Sequence, residues 1–94
     1  PDAIRSLRRA AELEPEASRY AYVYAIALDS VGDTAQALRI LRESQKRHPA
    51  DGETLQALVD LLRKRGDENG ALIYSRQLAA LYPDAAGGEL DLIQ

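Results

Sequence analysis

PEASRYAYVYAIALDSVGDTAQALRILRESQKRHP, residues 15–49, reads as two helical patterns joined by a Gly-Asp turn, with a proline at each end. The unit recurs. Pro15, Pro49 and Pro83 stand 34 residues apart, and at the same offset Gly32-Asp33 returns as Gly66-Asp67, Ala37-Leu38 as Ala71-Leu72 and Leu28 as Leu62. Self-similarity at a fixed period of about 20–50 residues marks stacked units, each unable to bury its apolar face alone. No segment alternates apolar and polar residues in the manner of a half-buried strand. The reading is all-α.

Outward from that unit, residues 2–14 place Ala3, Leu7, Ala10 and Leu13 along one helical stripe. Ala3, Arg5, Leu7, Arg8 and Pro15 lie 34 residues before Ala37, Arg39, Leu41, Arg42 and Pro49, so the sequence opens half-way through a unit. The helix at 17–30 carries Ala21, Tyr24, Ala25 and Leu28 on one face and stops at Gly32, which supplies the left-handed conformation favoured after a helix end. Asp33 caps the next helix, 33–47, with Gln36 in the capping-box place and Ala37, Leu38, Leu41 and Ser44 turned inward. Asp51 caps a helix over 52–65 with a stripe of Leu55, Leu58, Val59 and Leu62. Gly66-Asp67 repeats the turn before a helix over 67–82 carrying Ala71, Leu72, Ser75, Leu78 and Leu81.

The chain thus divides into a lone second helix (1–15), two full units (16–49 and 50–83) and a tail (84–94) in which Gly87 and Gly88 leave at most a short, frayed capping helix. A start at Pro-Asp in mid-pattern and the lack of any Met read as a segment of a longer, multidomain protein.

Composition narrows the function classes. Twelve Lys and Arg against 15 Asp and Glu, net −3, give no basic excess for nucleic acid. No apolar run reaches the roughly 18–20 residues of a membrane span, so no membrane insertion is expected. There is no Cys, which removes disulfides and thiolate metal sites. His48, the one histidine, precedes Pro49 at a helix end with nothing nearby to complete a metal site. No serine or threonine has a His–Asp companion, and Gly87-Gly88 lacks the lysine of a phosphate loop. No catalysis, cofactor or metal is expected, and the composition is compatible with a cytoplasmic or a periplasmic location.

These residues carry a resemblance. Ala21-x2-Tyr24-Ala25-x2-Leu28, Ala37-x3-Leu41 and Pro49, then Leu55-x2-Leu58-Val59-x2-Leu62, Ala71-x3-Ser75 and Pro83, fall at the spacings of the tetratricopeptide repeat, itself 34 residues long. Residues 2–83 resemble a segment of such an array. The departures are Ala21 and Leu55 where that family usually has Trp, Val59 in a small-residue slot, and Ser75 where a large apolar residue is usual; the second unit is expected to pack less regularly than the first. The resemblance implies a right-handed superhelical solenoid of antiparallel helix pairs, about five helices here, whose first helices line a concave groove. It also implies a non-enzymatic module or scaffold that binds a protein or peptide partner in that groove.

Groove positions on the first helices are then Arg19, Tyr22, Ile26, Asp29 and Ser30, and Glu53, Gln56, Asp60, Arg63 and Lys64. Tyr22 lies opposite Tyr20 and Tyr24 on the helical wheel, the latter two being placed in the core; Tyr22 beside Ile26 is either a partner anchor or part of an ordinary solvated face. Members of the family that clamp a C-terminal carboxylate use Lys, Asn and Arg at places held here by Tyr22, Ile26, Gln56 and Asp60, so that clamp is missing. Arg63 and Lys64 would draw an acidic partner, with Glu53 and Asp60 partly cancelling them. Arg8, Arg42 and Arg76, with Arg5, Arg9 and Arg39, form an outer ridge interleaved with Glu12, Glu43 and Gln77 and read as a solvated convex face. The alternative is a structural spacer, or weak self-association through an apolar flank left open on the N-terminal helix. Residues 20–28, YAYVYAIAL, are also similar to repeat tails of exported bacterial proteins that carry multihaem domains; no haem-attachment motif occurs in this chain.

Overall fold

The computed structural model describes residues 2–82, and the tail expected to be a short helix lies outside them. Five helices follow one another: α1 (Asp2–Leu13), α2 (Ser18–Ser30), α3 (Thr34–Arg47), α4 (Gly52–Lys64) and α5 (Glu68–Leu81). There is no strand among the described residues. The period is kept in the backbone. Residues 18 and 52 start α2 and α4, and residues 34 and 68 start α3 and α5, 34 apart in both cases.

The turns show why so few residues separate the helices. After α2, the Gly32 amide donates to the Asp29 carbonyl at 2.9 Å and the Asp33 amide to the Leu28 carbonyl at 2.9 Å; after α4, Gly66 donates to Arg63 at 2.9 Å and Asp67 to Leu62 at 2.8 Å. This is the Schellman arrangement, which occupies otherwise orphaned carbonyls and needs a left-handed residue in the middle. Gly32 and Gly66 supply it with φ of +89° and +83°. The same aspartates then turn to the following helix: Asp33 accepts from the Gln36 amide at 3.3 Å, and Asp67 from the Gly70 amide at 2.9 Å. One residue completes the end of one helix and opens the next. Asp51 caps α4, accepting from the Glu53 amide at 3.2 Å and the Thr54 hydroxyl at 2.8 Å.

Each helix packs on its successor, and α2 also touches α4. The core centres on α4, where Thr54, Leu55, Ala57, Leu58, Val59, Leu61 and Leu62 are all buried. Tyr24, Ala25 and Leu28 come from α2, and Ala37, Leu38, Leu41 and Ser44 from α3. Ala25, Ala37 and Ala71 are essentially inaccessible, so small side chains sit where neighbouring backbones come close.

Three expectations need correction. Tyr20, placed in the core beside Tyr24, is 41% exposed, because it stands in the first turn of α2 before the neighbouring helices cover that face. The stripe of α1 is Ile4, Leu7 and Ala11, packed on the core, whereas Ala3 and Leu13 are exposed. The two candidate stripes share Leu7 and differ by a small rotation, and the one that buries isoleucine prevails. The apolar flank expected to stay open on α1 is therefore largely turned onto its neighbour. Leu72 is 45% exposed, since no helix of the described residues covers that side of α5, whose one buried residue is Ala71. Within α5 the Ser75 hydroxyl donates back to the Leu72 carbonyl at 3.1 Å.

Candidate functional site: the groove between α2 and α4

Where α2 and α4 lie side by side, Tyr22, Ile26, Glu53, Gln56, Ala57, Asp60 and Leu61 enclose a groove of about 340 Å³. Its floor is apolar. Ile26 is exposed, Tyr22 is half-buried against the core, and Ala57 and Leu61 are buried below them.

An ion pair stands at each end. At the start of the two helices, Arg19 Nη1 donates to Glu53 Oε1 at 3.0 Å and Oε2 at 2.9 Å, and its guanidinium lies 5.6 Å from the centre of the Tyr22 ring. That is within cation–π reach. At the far end, Lys64 Nζ donates to Asp29 Oδ1 at 3.2 Å and Oδ2 at 3.0 Å. Thr34 adds a 2.6 Å hydrogen bond to Asp29 Oδ1. The Thr34 hydroxyl first, and Lys64 after it, hold the Asp29 carboxyl below its ordinary 3.8, outweighing partial burial. Both pairs are mainly solvent-exposed apart from Asp29, whose side chain is 16% accessible, so each contributes little to stability. They link α2 to α4 at the two ends of the groove.

Asp60, between these ends, accepts from Gln56 Nε2 at 2.9 Å and has no Lys, Arg or His nitrogen within 4.0 Å among the described residues. Near the helix starts, Asp51 links the two units. Burial alone would raise its carboxyl, but hydrogen bonds from Ser18, from Thr54 and from the Glu53 and Thr54 amides together hold it below 3.8.

Of the groove positions read from the sequence, Tyr22, Ile26, Glu53, Gln56 and Asp60 line one cavity, with Arg19, Asp29 and Lys64 in the bracketing pairs. Arg63 is exposed and does not line it. The attraction of an acidic partner expected from Arg63 and Lys64 is weakened accordingly, because the Lys64 charge is already met by Asp29. Ala57, Leu61 and Thr34 were missed. An i, i+4 apolar pair immediately following Gln56 and Asp60 is a signal that would have found the first two.

A larger cleft of about 520 Å³ opens on another face, between α1 and α3 over α2, with Arg8, Glu12, Arg39, Glu43 and Arg47 among its lining. Charges of both signs alternate there, and the Ser44 hydroxyl at its base is buried without a partner. The outer arginines Arg5, Arg39, Arg42 and Arg76 are exposed, and Arg8 pairs with Glu12 at 3.3 Å. His48 Nε2 approaches the Pro15 carbonyl at 3.4 Å, a structural contact. Among the described residues no group of three His, Cys, Asp or Glu side chains is placed to hold a metal ion, and no helix is long and apolar enough to cross a membrane.

The chain matches no family model and has no significant match among curated proteins.

Proposed function

We propose that this chain is a tetratricopeptide-type repeat segment acting as a non-enzymatic interaction module, with the α2–α4 groove as its binding face for a peptide or a partner protein. One observation carries the reading: an apolar floor, Tyr22 and Ile26 over Ala57 and Leu61, remains partly open to solvent between two ion pairs. An aromatic–aliphatic anchor of this kind, ringed by polar groups, is the usual centre of a protein interface. The 34-residue period and the repeated turn support the family assignment.

The test is capture of partners with the wild-type protein beside Ile26→Glu and an outer-face control, Arg42→Glu, all checked for helicity. Loss of the same partner with Ile26→Glu alone supports the groove; equal capture by all three overturns it. A second reading, a self-associating structural element, is favoured by the exposure of Leu72 and Ile73 on α5. Sedimentation at rising concentration tests it: a monomer throughout removes it.

A further inference from the structure

We propose that the groove selects a short extended segment carrying apolar side chains and a basic one, with Asp60 as the carboxylate that meets the base. The inference rests on the groove being the binding face and adds the chemistry of what enters it.

In the sequence, Arg63 and Lys64 read as an attraction for an acidic partner, partly cancelled by Glu53 and Asp60. The structure places Lys64 and Glu53 in pairs. Arg19 is held by Glu53 and Lys64 by Asp29, both within 3.0 Å, so the cations at the two ends are already compensated. Asp60 lines the cavity itself and meets only the neutral Gln56 amide, which occupies Oδ1 and leaves Oδ2 free. Among the residues lining the cavity the uncompensated charge is thus the single negative one of Asp60, beside an apolar floor, while Arg63, three residues further along α4, is exposed outside the cavity. A lysine or arginine reaching Asp60 gains an ion pair and loses little hydration, whereas an acidic side chain meets like charge.

The brackets also set the length. Arg19 and Asp29 are ten residues apart on α2, about 15 Å at 1.5 Å per residue. An extended chain at about 3.3 Å per residue covers that span in four or five residues. Side chains two apart face the same way, so apolar residues two positions before and two positions after the base lie toward the floor on the same side as the base.

The experiment uses three fluorescein-labelled pentapeptides, Leu-Gly-Xaa-Gly-Leu with lysine, glutamine or glutamate at the centre, titrated by fluorescence polarisation at low salt. Lysine is expected to bind about threefold to fivefold more tightly than glutamine, and glutamate about as much more weakly. Asp60→Asn should bring the three within twofold of one another, Asp60→Lys should invert the order, and ~0.5 M salt should compress it. Ile26→Gln, which removes the apolar contact without adding charge, should weaken all three together. Equal binding of the lysine and glutamate peptides, or an order that survives Asp60→Asn, overturns the selectivity while Ile26→Gln still weakens binding. No binding by any of the three, or binding indifferent to Ile26→Gln, overturns the groove reading and this inference with it.

Discussion

Replacing Gly32 or Gly66 by alanine isolates one physical term. A methyl group built on either α-carbon meets nothing within 4 Å, so steric clash contributes nothing. What remains is the cost of holding an L-residue at φ of +89° or +83°, where its β-carbon crowds its own backbone. That cost is about 1 kcal/mol. In a domain of this size it lowers Tm by about 4–8 °C, measured by the far-ultraviolet circular dichroism melt. Asparagine tolerates the left-handed region better than alanine and should lose about half as much, while valine should lose more. The two turns have nearly the same φ and the same pair of Schellman bonds, so the two alanine variants should agree within about 0.5 kcal/mol. A Tm unchanged within 1 °C at either site would show that its turn does not hold a positive φ. Asparagine as costly as alanine would show that the loss is not conformational.

Three further outcomes follow from individual groups. Ser44→Ala should stabilise the protein by about 1 kcal/mol in urea unfolding, because a buried hydroxyl without a partner is removed; destabilisation would mean that the hydroxyl is hydrogen-bonded in solution. Gly70→Ala should change stability by less than about 0.5 kcal/mol, since its β-carbon would stand 2.6 Å from Asp67 Oδ2 and the loosened cap offsets a helix-propensity gain of about 1 kcal/mol; in an Asp67→Ala background the same change should recover that gain in full. Asp29 and Asp51 are held below 3.8 in the folded state, so the unfolded chain binds their protons more readily. Their contribution is complete above about pH 4 and fades as pH falls through the folded values. Thr34→Val should bring the Asp29 carboxyl back towards 3.8 in an NMR titration, and an unmoved midpoint would assign the shift to something other than Thr34.

Much of the fold was legible because its signals are local. Gly32-Asp33 and Gly66-Asp67 combine a left-handed position with a capping carboxylate, and both requirements are met within the turn. Helix limits expected at 17–30, 33–47 and 52–65 fall within a residue of Ser18–Ser30, Thr34–Arg47 and Gly52–Lys64. What stayed hidden depends on the neighbours. Whether Tyr20, Leu13 or Leu72 is covered is decided by which helices reach that level of the stack, and a stripe on a helical wheel does not carry that.

The same division holds at the groove. Tyr22 and Ile26 share one face of α2 and Glu53, Gln56 and Asp60 one face of α4 by periodicity, and the repeat resemblance implied that the two faces line one groove. The pairing of Arg19 with Glu53 and of Lys64 with Asp29 was not legible there, although the first joins equivalent positions 34 residues apart. Charges summed along a face give the total. Only the pairing says which charge is left over, and among the residues lining the cavity that is Asp60.

The most direct measurement is a ¹⁵N–¹H correlation spectrum of the protein titrated with the lysine-centred pentapeptide. Shifts that saturate at Tyr22, Ile26, Gln56, Ala57, Asp60 and Leu61, with Arg5, Arg42 and Arg76 unmoved, are the predicted result. Shifts confined to the outer faces of α3 and α5, or to the cleft between α1 and α3, would place binding elsewhere and contradict the groove as the working face of this protein.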